Sequence, residues 1–531
     1  MLSCKRKRRL AASWGREPEV HYFHGDMEYI KTYYAYRRGA GKDAFLLDDI
    51  TWNDLGMDKI FARINQGLST SGEQYLYYML RSPAVDEAEY ARRRALIGRM
   101  EAAPALRLKL QYILARLGCA RRADLSRAFV PDAHGVGMLL VYLALVLLLP
   151  VTILLTIFCS VQFAIAVVGA VSLNALVHEV MTKKIAHDFD TVNYTVAMAA
   201  ALERVRRLKD AELDTQLSDG YAALARLRGV MRIGGVTTRS GSGTVADLLL
   251  TVCLLDLIAY EFCKNRLGRC YADVFAVHET LGRLDAAIAI ASYRASLGGN
   301  FAEPQLDFAA GTPFLRAEGM VHPLLDDAVP NDIDTTSPIL ITGSNASGKS
   351  TFLKTAALCA VLAQSICTCS AERYTASAFR IYSSMALADS LETGESYYIV
   401  ETRSLGRILD AADGGSPLLC VIDEVLRGTN TVERIAASCE VLGALARRGV
   451  LCIAATHDIE LCDLLGAQYA LFHFTETVDE DEMHFDYRIR PGKATSRNAI
   501  NLLRLIGFDD AIVDGAHRRA NAYMASGTWR A

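Results

Sequence analysis

Thirteen cysteines are scattered through the 531 residues, yet none stands at zinc-ligand spacing, since Cys367 and Cys369 are too close together and most others lie in apolar runs. Zinc-ribbon frameworks are thereby excluded, and buried reduced thiols in a cytoplasmic compartment are the simpler reading. Charge of one sign is also scarce. With 57 Lys and Arg against 60 Asp and Glu the net charge is -3, so the chain as a whole has no electrostatic footprint for nucleic acid, and any such contact must be local. The basic run Lys5 to Arg9 is not followed by an apolar stretch, which excludes a secretory signal. It reads as a disordered basic tail near an anionic membrane, with an import signal as the alternative.

The longest absence lies between Val136 and Val177, a stretch without one Asp, Glu, Lys, Arg or His. A single straight helix of that length would extend roughly 60 Å, about twice the hydrocarbon thickness of a bilayer. Two helices are therefore expected, with the turn at Ser160 and Gln162 and spans at about 136–158 and 162–178. Arg116, Arg121, Arg122 and Arg127 precede the pair and Lys183 and Lys184 follow it, so the positive-inside rule places both ends in the cytoplasm. A buried hairpin inside a large soluble core is the competing reading. The mean hydropathy of +0.17 is high for a soluble protein.

What remains divides by pattern. Residues 1–44 are polar, aromatic-rich and aperiodic, an N-terminal tail. Residues 45–135 read as helical, with Ile60, Ile64, Gly67 and Leu68 and then Leu106, Leu110, Ile113, Leu114 and Leu117 at helical spacing. The hairpin takes 136–178, and a second helical region runs over 185–310. Within it Val245 to Phe262 is apolar, but Asp247 and Asp256 fall on opposite faces of a helix. Each would cost about 2.5 to 3.5 kcal/mol near a bilayer centre, so a core helix is expected. From 311 to 531 strands and helices alternate as in an α/β sheet.

In that last region ILITGSNASGKSTFLK, Ile339 to Lys354, matches G-x-x-x-x-G-K-[ST] without a mismatch. Gly343, Ser344, Asn345, Ala346, Ser347, Gly348, Lys349, Ser350 and Thr351 form the loop, between an apolar strand and a helical run from Phe352 to Ile366. This is the setting a phosphate-binding loop requires, because glycines let successive N–H groups point at phosphate and the helix N-terminus adds positive potential. Lys349 would reach the β- and γ-phosphates, and Ser350 would hold Mg²⁺. The apolar strand Leu418 to Glu424 ends in two acids, Asp423 suited to the metal and Glu424 to polarising the attacking water. The strand Val450 to Ala455 ends at Thr456 and His457, which puts an imidazole at the sheet edge as a γ-phosphate sensor.

Together these motifs resemble the MutS family of ATPases. HPLL at His322 to Leu325, VPNDI at Val329 to Ile333, TGSNASGKST, GESYYIVE at Gly394 to Glu401, IDEVLRGT at Ile422 to Thr429 and ATHDIEL at Ala455 to Leu461 occur in the family's order, over roughly 311–525. A weaker helical likeness over 45–118 and 185–300 resembles the family's core and lever region. The resemblance implies an α/β P-loop NTPase of the ABC-like MutS type, preceded by an all-α region that here carries a transmembrane hairpin. It implies ATP and Mg²⁺ as cofactors, ATP hydrolysis coupled to homodimer closure, and Ser396 reaching the γ-phosphate held by the partner subunit.

Several features depart from the family. Tyr397 to Val400 replace the Phe-Met after the signature serine-threonine pair, and Ser496 to Ile500 differ at a dimer contact. Residues ahead of the helical core are too few for a mismatch-reading domain. Phe301-Ala302-Glu303 and Phe474-Thr475-Glu476 mimic the family's Phe-x-Glu wedge at positions where no wedge belongs. The expected function is thus an ATPase on a membrane that binds DNA through phosphates without mismatch specificity. The alternative is a nucleotide switch acting on an unidentified membrane protein.

Overall fold

A computed structural model describes residues 2–18, 22, 24–41, 43–121, 123–125, 135–234, 251–344, 347–385, 397–427, 429–478, 483–494, 500, 503–504 and 507–526. The chain forms two compact units, one of residues 1–43, 62–79 and 92–296, the other of 44–61, 80–91 and 297–531.

Among its described residues the first unit is helical. Its N-terminal part is not an aperiodic tail: Leu2–Ala12, His24–Ile30 and Thr32–Ala40 are helices. The basic run expected as disordered lies on the first of them, with Lys5 to Arg9 exposed. Tyrosines explain the order of the third. Tyr33, 2% exposed, sits among Tyr75, Tyr78, Phe275 and His278 with ring centroids 5.0 to 6.1 Å away, the large buried area that aromatic rings contribute.

Helix Tyr271–Ser296 is buried along most of its length, and His278 and Asp285 are among the ionisable groups it carries inward. Asp285, fully buried, accepts from Leu68 N at 3.0 Å and from Ser69 Oγ at 2.6 Å, just ahead of helix Thr70–Arg81. A side chain at Gly72 would meet that carboxylate at 2.2 Å. This distant carboxylate also corrects the helical reading of Gly67 and Leu68, which follow the end of helix Met57–Ile64 as a loop. Burial pushes the Asp285 carboxyl up to about 7 and the His278 imidazole down to about 4.

The uncharged stretch forms helices Gly135–Phe158 and Ala164–Lys184, joined through a short turn at Val161–Phe163. Both are long and apolar enough to cross a membrane, with mean hydropathy of 2.9 and 1.8 over an 18-residue window within Gly137–Phe158 and Val161–Lys184. Their apolar side chains stand outward: Leu147, Ile157 and Ile165 are 62%, 68% and 81% exposed. One side is covered by the segment from Thr251 and helix Leu255–Arg269, whose Leu254 and Leu257 bury Tyr142. Asp256 of that helix pairs with His178 of the hairpin at 2.7 Å, and Asn174 donates to Val252 O at 2.8 Å. Asp247 and the rest of 235–250 lie outside the described residues.

Among its described residues the second unit is built on two sheets. Strands β1 Gln305–Asp307, β2 Leu315–Met320, β3 Asn331–Thr335 and β5 Arg373–Ser377 form a four-stranded mixed sheet in the order β1-β5-β2-β3. Strands β4 Ile339–Thr342, β6 Arg380–Ser384, β7 Leu418–Asp423, β8 Leu451–Thr456, β9 Ala470–Val478 and β10 Met483–Pro491 form the other, ordered β10-β9-β4-β8-β7-β6. All are parallel except β10, which closes the edge antiparallel to β9. Every residue of β4 is buried, as a central parallel strand demands. Helix Lys349–Ile366 follows it, apolar on nearly all sides and buried accordingly.

The boundary expected at 311 falls after β1, which already pairs with β5. Residues 44–61 and 80–91, read above as part of the helical core, belong to this unit. Their chemistry shows why. Thr51 Oγ1 accepts from Ser383 N at 3.1 Å, and Asp54 accepts from Ser383 Oγ at 2.6 Å and Met385 N at 3.1 Å. Helix Asp49–Asp54 thus supplies acceptors to the edge strand β6, which would otherwise present unpaired backbone groups.

Candidate functional site

Three adjacent parallel strands end together. Thr342 of β4 is in register with Thr456 of β8, and Ala455 of β8 with Asp423 of β7. The loop after β4, the acids closing β7 and the imidazole after β8 therefore share one edge of the sheet, the edge where ligands bind in open α/β folds.

The loop needs its glycines for conformation. Gly343 and Gly348 have φ of +145° and +101°, and a side chain at Gly348 would approach the Tyr487 ring to 3.2 Å. Gly348 caps helix Lys349–Ile366, so the helix N-terminus opens into the loop. Lys349 is only 2% exposed and donates from Nζ to Gly343 O and Ser344 O, both at 2.6 Å. Burial lowers its ammonium to about 8, against the pull of Asp423, Glu424 and Glu476. Ser347 Oγ donates to Ser344 O at 2.8 Å and tightens the turn. Ser350 and Thr351 stand on the first helical turn. Asn345 and Ala346 lie outside the described residues, as does Ser396.

At the end of β7, Glu424 adopts φ +58° and Leu426 φ +57°, a left-handed backbone that costs a non-glycine residue on the order of 1 kcal/mol or more. Glu424 Oε1 lies 2.7 Å from His457 Nε2, and Oε2 2.8 Å from Arg427 Nε. The His457 hydrogen bond holds the carboxyl below the usual glutamate range, with Arg427 and Lys349 adding to it. Asp458 is fixed beside them by Arg434 at 2.6 and 2.8 Å. Glu424, Arg427, Arg434, Thr456, His457 and Asp458 line one cavity.

Sequence reasoning missed four features here. Glu401, buried on helix Tyr397–Ala412, accepts from the backbone N–H groups of Leu426 and Arg427 and so holds the strained turn. Arg427 engages Glu424 from its own loop. Glu476 of β9 accepts from Ser344 Oγ at 2.5 Å. A second pocket beside the loop is lined by Val329, Asn331, Gly348, Phe352, Phe474 and Tyr487, among others. Asn331 fixes its wall by donating to Tyr487 O at 2.9 Å and accepting from Ile489 N at 2.8 Å. The VPNDI motif marks Val329 and Asn331 in the sequence, but only this long-range pairing shows that they build a pocket wall.

A parallel sheet carrying a glycine loop, its buried lysine and a carboxylate pair at one edge defines a P-loop nucleoside triphosphatase domain. Residues 339–524 match the family model MutS domain V, itself a P-loop ATPase domain. Residues 339–524 are thus a MutS-type ATPase domain, of a family whose members are ATPases that use ATP with Mg²⁺.

Among curated relatives, the DNA mismatch repair protein MutS of Natronomonas pharaonis is 34% identical over 277 residues, 49% of this chain and 31% of that protein. MutS of Thermus thermophilus is 31% identical over 216 residues, 40% of this chain and 26% of the relative. Human DNA mismatch repair protein Msh6 is 28% identical over 307 residues, 52% and 22% respectively. The chain thus covers less than a third of the length of each.

Proposed function

We propose that this chain hydrolyses ATP at the edge shared by β4, β7 and β8, and that its hairpin anchors it to a membrane. The observation that carries the reading is the convergence of three strand ends on one small volume beside a buried lysine. The phosphate loop would cradle the triphosphate in its N–H groups, with Lys349 leaving the Gly343 and Ser344 carbonyls to meet the β- and γ-phosphates. The adjoining pocket between Val329, Phe352 and Tyr487 offers apolar walls to the base.

Ser350 and Asp423 supply the hard oxygen donors that Mg²⁺ prefers. The ion, when bound, would offset charge on the phosphate oxygens. Glu424 is the base that orients and polarises the attacking water. Its depressed pKa keeps it ionised at neutral pH, and His457 places a donor beside it for the γ-phosphate. Ser396 completes the site of a partner subunit in a homodimer.

The relatives' names point to DNA, and the exposed cations Lys5 to Arg9 are suited to phosphate contacts, which carry no base information. DNA binding without mismatch preference is therefore the first reading of the output. A nucleotide switch acting on a membrane protein is the second, favoured by the outward apolar faces of the hairpin.

The deciding experiment compares equilibrium ATP binding and steady-state hydrolysis in Lys349→Ala and Glu424→Gln. The first should lose binding; the second should bind ATP and lose turnover by about a hundredfold or more. Unchanged turnover in Glu424→Gln would remove that residue from its role.

A further inference from the structure

Three carboxylates act electrostatically on Lys349, those of Asp423, Glu424 and Glu476. Two have chemistry to do in the ATPase reading. The third has none, and it belongs to the Phe474-Thr475-Glu476 triplet whose spacing looked accidental in the sequence.

Strand register accounts for its position. Thr342, the last residue of β4, is paired with His473, but β9 continues to Val478, so its second half runs on past β4 alongside the phosphate loop. Side chains alternate along a strand, so Phe474 and Glu476 share a face. Phe474, 1% exposed, packs on Phe352 of the helix behind the loop with ring centroids 6.0 Å apart. A side chain at Gly343 would come within 3.1 Å of Phe474 O, which shows how closely β9 lies against the loop. Glu476, 8% exposed, reaches the loop itself and takes the Ser344 hydroxyl at 2.5 Å.

A buried negative charge is a poor neighbour for a polyphosphate. A neutral glutamine would accept the same Ser344 hydrogen bond, so holding the loop does not require the charge. What the charge adds is repulsion that grows with the number of phosphates on the ligand, in a site where limited water strengthens it.

We infer that Glu476 is an electrostatic brake on nucleotide affinity: its carboxylate, seated against the phosphate loop through Ser344, weakens polyphosphate binding and favours release. This rests on the assignment of the loop as an ATP site. Glu476 is a positioning residue in this scheme and touches no reacting atom.

The test measures equilibrium affinities of the full-length chain in detergent for ATP, ADP and adenosine, in wild type, Glu476→Gln and Glu476→Asp. Glu476→Gln should bind ATP about fivefold more tightly or better, ADP by a smaller factor, and adenosine as wild type does, since only the phosphates feel the charge. Glu476→Asp, which keeps the carboxylate, should stay near wild type for ATP. Equal or weaker ATP binding by Glu476→Gln would overturn the brake, and so would an equal gain for adenosine, which would mark a change of loop packing. If neither wild type nor Glu476→Gln bound ATP, the nucleotide reading would fall and this inference with it.

Discussion

Glu424 Oε1 and His457 Nε2 lie 2.7 Å apart, each at the end of its own strand, and Arg427 occupies the other carboxylate oxygen at 2.8 Å. The His457 bond is the largest cause of the carboxyl's depressed pKa. A base held ionised this way is active above its pKa and silenced as pH falls through it. His457→Gln should therefore raise the Glu424 pKa and move the acid limb of the ATPase pH profile to higher pH, with kcat reduced. An acid limb that stays in place would show that this pair does not set the protonation of the base.

If Ser396 completes the partner's site, each composite site takes Lys349 from one chain and Ser396 from the other. Lys349→Ala and Ser396→Ala chains, inactive alone, should regain up to about half of the per-dimer activity when mixed, because one of two sites becomes wild type. Inactive heterodimers, once their formation is shown, would mean that each subunit works alone.

The hairpin can be tested by one charge. Leu147 lies mid-helix and is 62% exposed. Facing water, Leu147→Lys would be nearly neutral; facing lipid near the bilayer centre it costs about 2.5 to 3.5 kcal/mol. The intact chain should resist a high-salt wash and need detergent for release, and Leu147→Lys should lower its membrane-inserted fraction several-fold. Recovery of the unmodified chain in the soluble fraction would refute the anchor.

His278 and Asp285 face the same core from one helix and oppose each other with pH. His278 titrates near 4 when folded against an ordinary 6.5, so the stability it contributes as a neutral ring is lost as pH falls from 6.5 toward 4. Asp285 titrates near 7 against 3.8, so the folded state gains stability as pH falls through the same window. Each effect is on the order of 3 kcal/mol. Wild type should hide both. Thermal unfolding midpoints in detergent should rise on acidification from about pH 7 to about pH 4.5 in His278→Gln and fall in Asp285→Asn, relative to wild type. Parallel profiles for the three proteins would disprove the opposition.

DNA binding, where it occurs, should come from phosphate contacts. It should fall steeply between low and physiological salt and be equal for matched and mismatched duplexes. A mismatch preference above tenfold at physiological salt would contradict this reading.

The sequence alone determined where the candidate site residues stand in the fold. Asp423 could be placed at a strand end, Gly343, Glu424 and His457 just past one, and Gly348 and Lys349 at the start of the following helix, because the flanking strands are unbroken apolar runs, a local signal that a buried parallel sheet requires. The two hairpin helices were equally legible, since the absence of charge from Val136 to Val177 is a local property. Tertiary structure alone decided the rest. Tyr33 orders a segment that looks aperiodic because its ring partners lie far away in sequence, at Tyr75, Tyr78 and Phe275. Asp285 holds Leu68 and Ser69, just ahead of helix Thr70–Arg81, from a helix remote in sequence, and Thr51 and Asp54, near the start of the chain, serve the edge strand that carries Ser383. Glu476 looked like chance until strand register carried it past the end of β4 onto the phosphate loop. Periodicity encodes which face of an element is buried; it does not encode which distant backbone group that face will satisfy, because that pairing exists only once the chain has closed.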